Sequence, residues 1–448
     1  MPHRQSILTL LPVLGLALLA AEPVRAAGFA LKEQSATALG NAFAGATAAA
    51  EDPSFIFFNP AALGYQDGVR AQLVISRIMP GSRLENARAT TVTGAAIGGR
   101  TTKGDIAEDE TVPAFYLTYA LDEVWRFGLA LTVPFGLETR YPDDWVGRYH
   151  AIGSRLMTAN IAPTLALRPL PWLSLGFGAQ IQYVEAKLTN AVDFGTIGAV
   201  SGIPGAVPGT QDGRSRLEGN DWGYGFTLGA IVEPWTGTRL GLGYRSKVEH
   251  DLKGEVDFTL DSAGIGAALS AATGRFVDTG ASARLTTPQS ISFGVYHEID
   301  DRWAVMADAM FTDWGEFDEL RIKFDNPSEA DNVTEEKWEG SWFYAAGVTY
   351  RAREDLVFRF GVAYDQTPIR TRYRTPRIPG NDRLWLAAGL SWTPSSWFDL
   401  SVGYTHIFVD DSEVRLDTAG VGNTFRAELD ASYDNGIDIL TVSANLRF

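Results

Sequence analysis

The chain has 448 residues, no cysteine and a formal net charge of −16. Charged residues make up 21% of the chain and its mean hydropathy is −0.05, which excludes a bundle of membrane-spanning helices. The negative charge argues against a nucleic-acid partner, because binding to phosphates needs concentrated Lys and Arg. The same values are compatible with one large transmembrane β-barrel, in which lipid-facing and lumen-facing residues alternate.

Residues 1–26 have the features of a secretory signal peptide. Arg4 supplies a positive charge, an apolar run extends from Ile7 to Ala20, and Val24-Arg25-Ala26 ends in a small residue suited to cleavage. The apolar run is too short to span a membrane as a helix, which takes about 20 residues. We therefore expect export, with cleavage near Ala26.

Residues 27–68 differ from the rest of the chain. They are rich in Ala and Gly, place Leu39 and Phe43 at helical spacing, and contain the motif Asn59-Pro60-Ala61. A compact, partly helical segment ahead of a long β array predicts a hatch that plugs the mouth of a barrel. A tether or an ordinary N-terminal helix is the alternative that composition leaves open.

Residues 69–448 are dominated by alternation of apolar with small or polar residues, as in Trp125 to Val133 and Leu173 to Tyr183. Tight turns alternate with long loops along this region, which is the plan of a bacterial outer-membrane barrel. We count about 14 strands, which predicts an all-β transmembrane fold closed into an antiparallel barrel. The strands are expected to start near residues 69, 112, 125, 154, 172, 220, 237, 284, 301, 339, 355, 382, 397 and 434.

Tryptophan recurs at the predicted tight turns, and the chain ends in Phe448 on an alternating strand. Tryptophan prefers a membrane interface, so this placement predicts an aromatic girdle on the periplasmic side. A barrel of about 14 strands has a lumen too wide for side chains to fill, which gives the hatch a purpose. The tryptophans in question are Trp125, Trp172, Trp235, Trp303 and Trp397.

Several dispersed motifs resemble those of the FadL family, outer-membrane transporters of long-chain fatty acids and other hydrophobic compounds, with relatives that carry aromatic hydrocarbons. The motifs are Ala27-Gly28-Phe29, the run Leu39 to Gly45, Asn59-Pro60-Ala61, Tyr244-Arg245-Ser246, Phe358 to Asp365 and Ile378 to Trp385. The resemblance covers nearly the whole mature chain. It implies a barrel with an N-terminal hatch and passive transport without nucleotide or metal.

The predicted third strand contains an irregularity at Pro134-Phe135-Gly136. Proline cannot donate a ladder hydrogen bond and glycine has no side chain to pack, so the strand either ends here or bends. The resemblance implies an inward kink that opens a lateral gap in the barrel wall. It also implies that Gly229 faces this gap, and that Asn59-Pro60-Ala61 docks near the kink.

A lateral gap has an energetic purpose. Each buried CH₂ is worth about 0.8 kcal/mol, so a 16-carbon chain forfeits roughly 10 kcal/mol if it must exit into water. The resemblance places Phe29 in an inner ligand pocket. The family's basic pair does not carry over cleanly, because its first position is Asn190 and its second falls near Lys337. Two apolar loop stretches, Phe194 to Pro208 and Ile265 to Phe276, are candidates for ligand capture, with mere loop packing as the alternative.

No catalytic signature is present, and the five histidines lack metal-ligand spacing. We therefore predict a protein that is not an enzyme and that needs no cofactor. The predicted partners are a hydrophobic small molecule and outer-membrane lipid, with the protein itself a monomer. A general porin for polar solutes and an outer-membrane lipolytic enzyme remain the alternatives.

Overall fold

The structure, a computed structural model, describes residues 28–448, so the predicted signal peptide lies outside the described residues. Strand segments β1 to β20 form one antiparallel sheet, and the sheet closes on itself because β1 pairs with β20. The segments are β1 Val69–Thr90, β2 Lys103–Asp105, β3 Glu110–Ala120, β4 Trp125–Thr132, β5 Gly136–Arg140, β6 Gly153–Leu170, β7 Leu173–Asp193, β8 Asp212–Trp235, β9 Thr238–Arg245, β10 Val248–Thr259, β11 Thr279–Thr287, β12 Ser290–Glu298, β13 Trp303–Thr312, β14 Glu319–Phe324, β15 Asn332–Glu335, β16 Ser341–Arg353, β17 Leu356–Asp365, β18 Arg383–Ser395, β19 Phe398–Leu416 and β20 Glu428–Arg447.

These segments make up the fourteen strands of a closed barrel. Four barrel strands are each divided by a short break, into β4 and β5, β9 and β10, β11 and β12, and β13 and β14, while β2 and β15 are short additions at the loop side. The predicted fold class is therefore confirmed. The predicted strand starts agree closely except at β8 and β20, where the ladder begins earlier, at Asp212 and Glu428. Both extensions are polar, so the apolar alternation that guided the prediction does not reach them.

The burial pattern of the strands is that of a membrane barrel. Along β1, Leu73 and Ile75 are 48% and 45% exposed, whereas Val74 and Ser76 are fully buried. The apolar side chains thus cover the outer surface, and small or polar ones face the lumen. The tryptophans at the tight turns are also exposed, as a girdle requires.

Residues 28–68 lie inside the barrel and form the plug. They contain helix α1 (Ala36–Gly40) and two 3₁₀ turns, Pro53–Phe57 and Pro60–Tyr65, and nearly all of their residues are buried. The helix begins at Ser35, whose hydroxyl accepts from the Ala38 N–H at 3.1 Å, and Asn59 caps the second turn at 2.9 Å. Within residues 28–448, no helix is long and apolar enough to cross a membrane.

Polar groups of the barrel wall hold the plug in place. Arg245 donates to the Phe57 carbonyl at 2.7 Å, and Ser174 donates to the Ala61 carbonyl at 2.7 Å. The plug backbone also approaches the wall at glycines: a Cβ added at Gly229 would overlap Asn59 Oδ1, and one at Gly176 would overlap Pro60. Such close approach leaves room only for glycine.

Candidate functional site

The wall of the barrel is interrupted between β3 and β5. From Phe115 to Ala120, β3 pairs with β4. Beyond Phe115, β3 pairs only with β1, while β5 pairs with β6. A single bridge between Ala107 and Thr139 rejoins the two sides nearer the loops. The sheet therefore has a slot whose edges are residues 110–114 and 133–138.

The slot exists because the chain bends inward at Val133 to Gly136, where it meets residues 28–34 of the plug, which we call the strap. The Leu31 N–H donates to the Pro134 carbonyl at 2.8 Å, and the Gly136 N–H donates to the Phe29 carbonyl at 3.0 Å. The Gln34 side chain donates to the Val133 carbonyl at 2.8 Å and accepts from its N–H at 3.3 Å. The strap thus supplies partners for backbone groups that left the ladder, which would otherwise be costly.

On the side away from the strap, the kink is held by β6. The Thr158 hydroxyl donates to the Phe135 carbonyl at 2.8 Å and accepts from the Phe135 N–H at 3.0 Å. Pro134 lacks an N–H, so it leaves no donor to be satisfied. The kink is therefore fixed on one side to the wall and on the other to the strap.

A cavity of about 380 Å³ lies behind the slot, and we call it the lateral cavity. Its lining includes inward-facing Ile407 and Ile437 together with Pro113, Met157 and Ala159, which are exposed on the outer surface of the barrel. The lining of the lateral cavity therefore includes residues of both the inner and the outer surface of the barrel.

A second, largely apolar cavity lies toward the long loops, and we call it the loop-side cavity. Phe29, Leu137, Arg155, Leu156 and Ile378 line both cavities, so these side chains form the partition between them. Phe29 packs against Trp314 with ring centroids 4.8 Å apart and against Phe135 at 6.0 Å. The strap therefore contacts the kink and also separates the two cavities.

The loop-side cavity has charged groups at one end. Glu336, which is 3% exposed, and Arg377 both line it. Burial raises the pKa of Glu336 to about 8, although Trp338 donates to its carboxylate at 3.0 Å and Arg377 and Arg426 act in the opposite direction. Burial, with the nearby Arg426 charge, lowers the pKa of Arg377 to about 10. At neutral pH this end therefore carries a guanidinium whose neighbouring acid is mostly protonated.

The structure brings together some of the residues predicted from the sequence. Phe29, Pro134, Phe135 and Gly136 all meet at the contact between strap and kink. Asn59-Pro60-Ala61 and Gly229 also meet, because Asn59 contacts β8 at Gly229 and Ala230.

The expected positions of Gly229 and the Asn59 motif relative to the slot stay a prediction. Gly229 is in register with Gly176, which pairs with Ala166, which pairs with Arg126 near the start of β4. The kink follows the other end of β4, after Thr132. The motif docks on β8 at Gly229 and Ala230, while the hydrogen bonds from the plug to the kink come from the strap.

Lys337 does not reach the ligand cavities in the expected way. Its backbone is left-handed, with φ 48°, and its ammonium pairs with Asp318 at 2.8 Å at the surface. The turn directs its neighbours Glu336 and Trp338 inward. The basic groups lining the loop-side cavity are Arg155 and Arg377.

The two apolar loop stretches pack against each other. They form helices α2 (Phe194–Val200) and α3 (Ile265–Thr273). Phe194, Ile265 and Leu269 are buried in one cluster with Phe276, whose ring centroid is 5.0 Å from that of Phe194. This arrangement agrees with the alternative of loop packing, although Val200 remains 57% exposed.

Three aromatic residues that pack around Phe29 were not predicted from the sequence, because they belong to an acidic loop. Trp314, Phe317 and Trp338 flank a run of acidic residues that indicated a solvated surface. Two tryptophans away from any tight turn were the available signal, since a polar loop has no other reason to carry them.

The family model described as outer membrane protein transport protein (OMPP1/FadL/TodX) matches residues 17–448. A putative outer membrane protein of Neisseria meningitidis is 29% identical, over 96% of each chain. The long-chain fatty acid transport protein of Escherichia coli K12 is 28% identical, over 85% of this chain and 88% of that protein.

Solved structures agree with the barrel. A FadL homologue from Pseudomonas aeruginosa superposes with a TM-score of 0.86 at 24% identity, covering 94% of this chain and all of that one (100%). The toluene transporter TodX of Pseudomonas putida gives a TM-score of 0.67 at 18% identity, covering 94% and 100%. At these identities the likeness concerns the fold.

A closed barrel with an interior plug and a family match over most of its length defines an outer-membrane transport protein. The chain belongs to the OMPP1/FadL/TodX family. It is located in the outer membrane, and its relatives are named as transport proteins rather than enzymes.

Proposed function

We propose that this protein carries hydrophobic compounds passively from the cell surface into the outer membrane through the slot between β3 and β5. The observation that carries the proposal is the lateral cavity, whose lining includes inward-facing Ile437 and outward-facing Pro113, which lies where β3 has no ladder partner on the side of the slot. A lipophilic ligand leaving there never enters bulk water, which avoids a cost of about 0.8 kcal/mol per CH₂.

The proposed route begins in the loop-side cavity, passes the partition at Phe29 and ends in the lateral cavity. The strap is the element that moves, because it contributes Phe29 to the partition and also holds the kink. Its backbone bonds to Pro134 and Gly136 would break and reform as the ligand passes. Gradients of ligand drive the movement, and no nucleotide, metal or other cofactor takes part.

Long-chain fatty acids are the favoured ligands. The loop-side cavity is apolar along most of its lining and ends at Arg377, which suits an acyl chain with a carboxylate. The Escherichia coli relative is named for long-chain fatty acid transport. Aromatic hydrocarbons, for which other structural relatives are named, need no such cation and are the second class to test.

The protein is proposed to act as a monomer surrounded by outer-membrane lipid. The signal peptide of residues 1–26, the hatch of residues 27–68 and the barrel of residues 69–448 are the proposed organisation. A general porin is disfavoured because the plug fills the lumen, and swelling of proteoliposomes in polar sugars would support that alternative.

Blocking the slot tests the proposal. Ala159 is exposed at its outer mouth, so Ala159→Trp should fill it and lower uptake of radiolabelled hexadecanoate at least about tenfold in cells without another fatty-acid transporter. Ala388→Trp is the matched control, because Ala388 is an exposed alanine on β18, away from the slot. Heat-modifiable electrophoretic mobility confirms assembly of both variants. Equal uptake by the two variants would contradict the lateral route.

A further inference from the structure

One end of the lateral cavity is polar. Glu33 of the strap and Arg383 at the start of β18 both line it, near the apolar side chains of Ile407 and Ile437. Glu33 is 5% exposed. Within residues 28–448, neither Glu33 Oε2 nor Arg383 Nε has a hydrogen-bond partner. Buried polar atoms without partners are rare and costly, so a pair of them facing one cavity calls for an explanation.

The groups next to these two side chains already have partners. The Glu33 carbonyl accepts from Ser76 at 2.6 Å, which fixes the strap at this residue. Lys32 pairs with Asp365 at 3.8 Å, and Asp365 lies opposite Arg383 in the ladder between β17 and β18. Lys32 is thus already engaged elsewhere, while Glu33 and Arg383 each keep an unused atom.

We propose that this end of the lateral cavity is a subsite for the polar head of a long-chain compound, either a hydroxyl or a neutral carboxyl group. Such a group accepts from Arg383 Nε–H and donates to Glu33 Oε2, so both unused atoms gain a partner. A hydrocarbon satisfies neither atom, and an ionised carboxylate has no proton to donate to Glu33 Oε2. The inference rests on the proposed function and adds the chemistry of the ligand at the exit.

The position of the subsite gives it a role in transport. Glu33 and Arg383 lie at the inner side of the lateral cavity, and Pro113 and Met157 lie at its mouth. A ligand held by its head at the inner side directs its chain toward the slot. The apolar end therefore enters the bilayer first, and the head follows once the chain is already in hydrocarbon.

The test measures preference for a head group at constant chain length. Purified protein in amphipol is incubated with equal amounts of dodecan-1-ol and dodecane, passed through gel filtration and extracted, and both compounds are quantified by gas chromatography with mass spectrometry. Amphipol alone provides the blank. We expect wild type to retain more alcohol than alkane above this blank.

Substitutions then assign the preference to the two groups. Arg383→Met removes the donor and keeps an unbranched side chain, and Glu33→Met removes the acceptor. Each should lower the ratio of retained alcohol to alkane about tenfold, equal to about 1.4 kcal/mol. Glu33→Gln keeps an acceptor and should retain the ratio. Arg353→Met, at an exposed tight-turn arginine paired with Asp355, is the control and should resemble wild type.

The outcomes separate this inference from the proposed function. An alcohol-to-alkane ratio that is equal in wild type, Arg383→Met and Glu33→Met, with alkane retained well above the blank, overturns the subsite and leaves transport intact. Retention of neither compound above the blank overturns both. Infrared spectra of bound [1-¹³C]dodecanoic acid provide a measurement that needs no variant: a protonated carboxyl band is expected, and a spectrum with carboxylate bands alone contradicts the subsite.

Discussion

Two of the places at which the barrel wall leaves its ladder differ in what fills the space. At the kink, Val133 to Gly136 bends inward and a slot remains between β3 and β5. Between β12 and β13 the ladder ends at Ser290 and Thr312, and it resumes only where Ala283 pairs with Ile322. The second break therefore also separates neighbouring strands.

The second break is filled by its own chain. The stretch between Thr312 and Ile322 is longer than the stretch opposite it, and it turns so that Trp314 and Phe317, which are 1% and 7% exposed, point inward. Outside, Glu316 pairs with Lys247 at 3.2 Å. An interrupted ladder thus does not make an opening by itself; an opening also requires that no side chains occupy the gap, as at the kink.

Trp314→Ala should give the largest loss of stability, and it should make the second break open like the slot at the kink. Loss of a buried tryptophan costs about 3–5 kcal/mol, so we expect a lower midpoint of unfolding in urea and an enlarged loop-side cavity. If the aromatic filling closes the second break, the variant should also admit a small polar dye into proteoliposomes. Trp392→Ala, at an exposed tryptophan of β18, is the control. A variant as stable and as tight as wild type would show that Trp314 does not seal the wall.

Gly229→Ala should give the next largest loss of stability. It tests whether a change at the contact between Gly229 and the plug also affects the slot. A Cβ at Gly229 would overlap Asn59, and overpacking of this kind costs about 1–3 kcal/mol. We expect faster amide hydrogen exchange around Asn59 and unchanged exchange at Val133 to Gly136. Gly219→Ala on the same strand is the matched control, because the nearest atom to its added Cβ is 3.4 Å away. Increased exchange at the kink alone would support the expectation that Gly229 faces the slot.

The smallest expected effect is a pH dependence at the loop-side cavity. Below pH 8, Glu336 keeps its proton because burial raises its pKa. Arg377 Nη1 donates to Ser154 Oγ at 2.8 Å, and its other N–H groups pair with a ligand carboxylate. Above pH 8, ionised Glu336 competes for Arg377, so dodecanoate binding should weaken by roughly threefold to tenfold, or about 0.6–1.4 kcal/mol. Glu336→Gln should bind equally at pH 7 and pH 9, as measured by equilibrium dialysis. A wild type with no such change would exclude Glu336 from the site.

The same acid has an effect on stability with a defined sign. Its pKa in the folded chain, about 8, is above the usual value of about 4.3 for Glu. Between these two pH values the unfolded chain has released the proton and the folded chain retains it. Raising the pH across this window therefore lowers the free energy of unfolding relative to Glu336→Gln.

The barrel could be predicted from the sequence because each strand repeats one simple rule. Alternation and tight turns gave the number and the order of strands, and Pro134 with Gly136 gave the site of the kink. These are local signals, since they depend on residues that are neighbours in the chain.

Much of the candidate site depends on contacts between distant parts of the chain. The strap and the kink are far apart in the sequence: Gln34 and Val133, which are hydrogen-bonded, are separated by 99 positions. Nothing local to Gln34 indicates this bond, and nothing local to Lys337 indicates that a left-handed turn directs it outward. The local sequence pattern therefore predicted the position of the slot. It could not predict that Trp314 and Arg377 lie on the inner side of the slot.

The central claim is that the lateral cavity is open to lipid, and one measurement tests it directly. Because the chain has no cysteine, Ile437→Cys places a single fluorescent label on the inner side of that cavity. Ile231→Cys, at an inward-facing position packed against the plug, is the control. In bilayers of lipids brominated on the acyl chain, the account predicts quenching of the label at 437 and little at 231. Equal, weak quenching at both positions would mean that the wall is closed.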